Sequence, residues 1–248
     1  MKKIQFIPIS ESVPSLISPP IPAHKKIPEW YKEQPAVIGD KLVINEGGNA
    51  NTTIKKCMPV LDDMTAGYYI LLASDLIVGW NNEDNTPYFS WSLDTTGGHN
   101  IRGELDYLPK LIEGHGTEQV SHLHIPWGFS IYPQKFNNYW RIVTPKGYSC
   151  MFRHPSWVFD VPFYTLSGIV DTDNHPIPVN FPFLIQQGWE GMIHAGTPIA
   201  QVIPFRRTEW ESEIVMDNNA EGSMEYRKAT KKLMHRYKDN WREVKSWK

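Results

Sequence analysis

His122 and His124, with Glu118 shortly before them, are residue types that hold iron or zinc. On a strand the two histidines would face the same side, as a His-x-His ligand pair requires. His115, His154, His175 and His194 are further imidazoles that a fold could bring to the pair. No carboxylate follows in the His-x-Asp form of an oxygenase triad, and His-x-His arises readily by chance. The two histidines are therefore outside candidates, and no bound metal is expected. Arg153 and Ser156 form a second constellation. A guanidinium and a nearby hydroxyl can cradle an anion, although an ordinary surface loop carries the same residues. The third is the C-terminal stretch Ser223–Lys248, where nine Lys/Arg meet three Asp/Glu. Leu233, Tyr237, Trp241 and Val244 share one helical face there, so about 223–246 reads as a basic amphipathic helix. Such a face more often docks on the protein's own body or on a partner subunit than on nucleic acid.

The elements that would position these groups are short strands. Twenty prolines in 248 residues disfavour long helices. Residues 1–56, punctuated by Pro19-Pro20, Pro22, Pro28 and Pro35, read as an irregular arm, with Ile27–Tyr31 docking aromatics onto the body. Met64–Leu72 and Asp75–Val78 read as two strands. Residues 79–135, rich in Asn, Asp and Gly, read as a long insertion carrying a hairpin near Pro87–Trp91. The densest pattern runs from 138 to 214. Asn138–Thr144, a Pro145-Lys146-Gly147 turn and Tyr148–Phe152 form a strand pair. Further strands are expected at 166–170, 177–184, 191–194 and 199–205, with a turn at Ala195–Pro198. This is a mainly β fold: a body over 57–215 between the arm and a C-terminal helical tail, 216–248.

Five segments, in order, resemble the dUTPase family. They are Met64-Thr65-Ala66-Gly67-Tyr68-Tyr69-Ile70, Ile142–Tyr148, Arg153-His154-Pro155-Ser156, Gly168-Ile169-Val170-Asp171-Thr172-Asp173 and Ile193–Ile203. Eighteen positions separate Arg153 from Asp171 and thirty separate Asp171 from Gln201, close to the family's spacing. The whole chain more distantly resembles an uncharacterised family of bacteria and T4-like marine phages, which adds no function. The dUTPase resemblance implies a β-clip fold, with Asp171 beginning a hairpin and Gly196 in a tight turn. It implies Asp171 as the water-orienting carboxylate, and Arg153, Ser156, Asp173, Asn174 and Gln201 as ligand-binding residues. It further implies Mg²⁺ as cofactor and a homotrimer with sites between subunits. From the residues alone, Asp171 reads more readily as a turn aspartate, and Gln201 equally as a buried amide that satisfies backbone groups.

The departures weigh on activity. Tyr69 stands where the family has its first-motif acid. His154 and Pro155 break the Arg-Ser-Gly phosphate loop, and Asn174 replaces the tyrosine under the deoxyribose. Ala220–Ser223 is a poor remnant of the Gly-rich arm, and Ile177–Phe181 lacks the glutamate of dCTP deaminases. The expectation is a divergent dUTPase-like protein that binds a nucleotide or similar anion, with dUTP hydrolysis weak or absent. Whether it is an enzyme stays open. A non-catalytic β-clip for assembly, as in a phage particle, and a cupin-like metal enzyme are the alternatives. A net charge of −2 favours neither nucleic acid nor membrane, and no apolar run is long enough to span a bilayer. The first residues do not read as a signal peptide, and Cys57 and Cys150 do not suggest a disulfide framework. A cytoplasmic location is expected, or a virion if the chain is phage-encoded.

Overall fold

The computed structural model describes residues 2–45, 50–93, 99–101, 104–106, 108–215 and 237–248. From the N-terminus come β1 (Gln5–Pro8), α1 (Val13–Leu16), β2 (Ile21–Pro22), α2 (Glu29–Glu33) and α3 (Met58–Met64). Next are β3 (Tyr68–Leu71), β4 (Leu76–Asn81), β5 (Thr86–Trp91), β6 (His99–Ile101), β7 (Glu104–Asp106), β8 (Ile112–Gly114) and β9 (Gln134–Phe136). The remaining strands are β10 (Trp140–Val143), β11 (Tyr148–Arg153), β12 (Phe163–Thr165), β13 (Gly168–Val170), β14 (Phe181–Ile185), β15 (Gly191–Ile193) and β16 (Pro198–Arg206). The fold is mainly β, as the short apolar runs and dense prolines predict.

The largest sheet has the order β13-β11-β16-β3-β2, with antiparallel pairing throughout. A second sheet runs β12-β14-β9-β8, and a third runs β15-β4-β5. All three bury apolar side chains in one core. Phe152 of β11 meets Phe181 of β14 at 5.6 Å, and Phe89 of β5 meets Phe183 of β14 edge-on at 6.2 Å. Alternation explains how β11 is shared between two environments. Cys150 and Phe152 point into the core, and burial raises the Cys150 thiol to about 11. Met151, on the other face, is exposed. β3 is buried on both faces: Ile70 enters the main core, while Tyr69 and Leu71 pack with Ala23 and Ile21. That double burial is why Tyr68–Leu71 shows no polar alternation.

Five sequence expectations need correction. Met64 closes α3 instead of opening a strand, and strand structure begins only at Tyr68. The N-terminal stretch is more than an irregular arm. β1 pairs with β10, β2 pairs with β3, and Val13 and Ile17 enter the core. The docking of Ile27–Tyr31 holds: Tyr31 is buried, and the Trp30 indole donates to the Trp157 carbonyl at 3.1 Å. Asp171 does not begin a hairpin. β13 lies in the five-stranded sheet and β14 in the four-stranded one, so the turn after Asp171 carries the chain between sheets. The tail helix lies mostly outside the described residues. Within 237–248 only Tyr237–Trp241 makes a helical turn, and the chain then runs without helix to Lys248. Contacts to the body fix that course, since Arg242 and Lys245 both bind the Asp62 carboxylate.

The 79–135 stretch also does more than loop outward. The hairpin expected near 87–91 is β4–β5, and Leu108, Leu111, Ile112 and Phe136 are core residues. No helix among the described residues is long and apolar enough to cross a membrane.

Candidate functional site

β11 carries the two groups of residues that the sequence singled out, one at each end. At its start, Ser149 donates to Asp171 Oδ1 at 2.6 Å, and Arg207 Nη1 lies 3.1 Å from the same oxygen. Arg207 forks onto both oxygens of Asp173, whose second oxygen also accepts the Gly147 amide at 2.8 Å. The Arg207 hydrogen bonds, helped by that amide, hold the Asp173 carboxyl down at about 2. Asp173 is nearly covered, whereas Asp171 keeps 62% of its side-chain surface exposed. The Asp171 carbonyl accepts the amides of Asn174 and His175 at 3.0 and 3.1 Å, so Asp171 also closes the turn. The Asn174 side chain is exposed at its tip.

At the other end of β11, Arg153 is ion-paired with Asp63 at the end of α3. The Trp157 indole donates to the same carboxylate at 3.1 Å. Gln201 is fully buried between them. Its NH₂ donates to the carbonyls of Asp63 and Ala66 at 3.0 and 2.7 Å, and its Oε1 accepts the Ser156 amide at 3.0 Å. Each polar atom of Gln201 thus serves its own backbone. His154, in the broken phosphate loop, is a staple. Its Nδ1 accepts the Thr165 amide, so its Nε2 carries the proton and donates to the Val158 carbonyl at 2.9 Å. Burial lowers its pKa and keeps it neutral. Trp157 sits at φ +64°, held there by its indole bond to Asp63 and by Trp30 on its carbonyl.

Arg153 and Asp171 are therefore not one site within a chain. Ser149, which holds Asp171, stands four residues before Arg153 along β11, roughly 13 Å at a strand's rise per residue. Tyr69 is buried and donates to the Met64 carbonyl at 3.3 Å. Burial pushes its phenol up to about 12, so it supplies no anionic ligand for Mg²⁺ at neutral pH. His122 lies on an exposed turn and His124 in the exposed irregular stretch after it, and neither is on a strand. Among the described residues, no three His, Cys, Asp or Glu side chains cluster to hold a metal.

The feature that the motif residues did not reveal is a cleft of about 550 Å³ beside the Gly196 turn. Gly196 is at φ +79°, in a tight turn where Thr197 donates to the His194 carbonyl at 3.1 Å. Lys25, Lys26 and Lys32 line it together with Trp189, Met192 and Val161. Lys26 donates to the Gly196 carbonyl at 2.8 Å, tying the N-terminal segment to the turn. Lys32 is paired with Glu29 at 2.9 Å, whereas no ion pair is formed by Lys25 or Lys26 among the described residues. Asp160 is the one acid among the lining residues. The arrangement suits a ligand with an anionic end toward Lys25 and Lys26 and an apolar end toward Trp189. The adjacent Lys25-Lys26 pair beside Pro28 was the available sequence signal, and it reads there as ordinary surface charge. Compared with family models, curated proteins and solved structures, this chain finds no match.

Proposed function

We propose that this protein is a divergent dUTPase-like β protein that binds a nucleotide or similar small anion and turns over dUTP weakly or not at all. The carrying observation is the cleft beside the Gly196 turn, lined by Lys25, Lys26 and Trp189. Its volume falls in the range of small-molecule sites. Hydrolysis at the α-phosphorus requires the phosphates to be neutralised and held in line. The cations and amides that would do this are committed elsewhere: Arg153 to Asp63, Arg207 to Asp173, and Gln201 to backbone. Tyr69 removes the first-motif carboxylate, so the Mg²⁺ that the resemblance implies loses a ligand. Asp171 alone keeps the exposure needed to orient a water. Loss of one preorganised donor costs on the order of 100-fold in rate, and here several are lost.

The test pairs binding with turnover. Titration calorimetry of dUMP and dUTP with Mg²⁺ is expected to show binding that falls at least about tenfold in Lys25→Glu/Lys26→Glu, the loss of one charge-assisted contact or more. Pyrophosphate release from dUTP is expected at background, with Asp171→Asn unchanged from wild type. Robust turnover abolished by Asp171→Asn would overturn the non-hydrolytic reading, and undiminished binding in the lysine variant would overturn the cleft.

A second reading, assembly, is favoured by the segment after β16. Trp210, Ile214 and Val215 are largely exposed there, and Met151 and Ile169 lie exposed on the outer face of β11 and β13. In dUTPases the site lies between subunits, so the separation of Arg153 from Asp171 in one chain is compatible with a trimer.

A further inference from the structure

A second pocket of about 540 Å³ lies where the two ends of the described chain meet. Its lining includes Tyr68 of β3 and Tyr148 of β11, with Thr144 and Pro145 from the end of β10. Lys2 and Lys3 from the N-terminal segment and Trp247 and Lys248 from the C-terminal one line it as well. No Asp or Glu side chain is among the lining residues. Lys2 Nζ donates to the Tyr148 hydroxyl at 2.7 Å and sits 4.2 Å from the centre of that ring. Trp247 stands edge-on to Tyr68 at 6.3 Å, and the Tyr68 hydroxyl donates to the Lys248 carbonyl at 3.0 Å. Flat π surfaces under ammonium groups fit an aromatic ring that carries negative charge.

The segment carrying Trp247 is anchored by residues outside the pocket lining. Arg242 Nε lies 3.2 Å from both Asp62 oxygens, Arg242 Nη2 lies 2.7 Å from Oδ1, and Lys245 lies 3.2 Å from Oδ2. The Asp62 side chain is 11% exposed, so Arg242 meets it largely out of water while Lys245 reaches it from the surface. One carboxylate thereby fixes the segment that brings Trp247 and Lys248 to the pocket.

We propose that this pocket binds an aromatic anion, and that Arg242–Lys248 is a strap whose grip on Asp62 forms and closes it. The site shares no residue with the Lys25–Lys26 cleft, so it stands apart from the function proposed above. The full chain would be titrated with 1-naphthyl phosphate and 1-naphthoate, against 1-naphthol for the ring without charge and inorganic phosphate for the charge without a ring. Both naphthyl anions are expected to bind at least about tenfold more tightly than either control. Lys2→Glu/Lys3→Glu is expected to lose that margin, while Lys25→Glu/Lys26→Glu keeps it. Binding lost in the Lys25/Lys26 variant but kept in the Lys2/Lys3 variant would overturn the assignment, as would equal binding of 1-naphthol. Hydrogen exchange over 242–248 is expected to slow when 1-naphthyl phosphate binds and to speed up about tenfold or more in Asp62→Asn. Arg242→Glu, a change on the tail itself, should reproduce that effect and carries the test if Asp62→Asn fails to fold. Unchanged exchange in the folded variants would overturn the strap.

Discussion

Gln201 gives all of its side-chain hydrogen bonds to its own chain, and it does so fully buried. Gln201→Leu keeps the volume but strands the Ser156 amide and the Ala66 carbonyl and takes one of several donors from the Asp63 carbonyl. Unpaired buried groups cost about 1–3 kcal/mol each, so a loss of about 3 kcal/mol in all is expected. That lowers Tm by about 6–12 °C in a chain of this size, measurable by calorimetry. A ligand-contacting glutamine would instead weaken nucleotide binding with little change in Tm. Arg207 makes a different prediction, in pH. It holds Asp173 at about 2 in the folded state, below the unfolded carboxylate value of about 3.9. A depressed folded pKa adds stability above the unfolded value, and that increment disappears as pH falls toward about 2. Arg207→Ala is therefore expected to lower Tm at pH 7 and to flatten the decline between about pH 4 and 2, as acid melts of the two proteins would show. Neither role stands out in the sequence. Arg207 is one of two adjacent arginines at a strand end, and only the register that brings β16 beside β11 puts it at Asp173.

At the scale of elements, the turn into β3 is the most exacting. Gly67 has φ +66°, and a Cβ there would stand 1.9 Å from the Val202 carbonyl oxygen of β16. Gly67→Ala must either break the β3–β16 pairing or displace a central strand. Insoluble expression, or a Tm lower by about 10 °C, is the expected outcome; a melt within a degree or two of wild type would contradict the close approach. Most strands from 138 to 206 were legible because they are short, apolar and close to Gly or Pro, but β12 was not expected and β14 begins at Phe181 instead of Ile177. Even the Gly196 turn was placed correctly. The N-terminal strands were not. Gln5–Pro8 has little alternation of its own and becomes a strand only because β10 offers it an edge. The tail misled in the opposite way: a 3.6-residue period was present, but past Trp241 the pull of Asp62 on Arg242 and Lys245 sets the course of the backbone instead. The candidate site was the least legible part. The motif residues are where the spacing put them along the chain, yet pairing with Asp63, Ser149 and Arg207 decides what they do, and none of those partners lies in a motif.

Among the described residues large apolar groups are uncovered in several places, and two of them are the segment carrying Trp210, Ile214 and Val215 and the outer face with Ile169 and Met151. Exposed groups of this size gathered on one molecule commonly mark association surfaces. Light scattering of the purified protein is expected to report a trimer. Trp210→Ser/Ile214→Ser, changes far from the core, are expected to shift it toward monomer without lowering the monomer's own helix or strand content by circular dichroism. A wild-type monomer at tens of micromolar, about the concentration such an experiment uses, would remove the assembly reading and any site shared between subunits.

β16 sits in the middle of the largest sheet although it is the last strand in the chain among the described residues, with β11 on one side and β3 on the other. During synthesis, β3 and β11 are both made well before the strand that joins them. Each must wait as an unpaired edge, and β1 must likewise wait for β10. Contacts so distant in sequence make for slow folding, in milliseconds to seconds instead of microseconds. The nascent chain is thus most exposed to mispairing in the interval before Pro198–Arg206 emerges, and a helper that shields strand edges would act there.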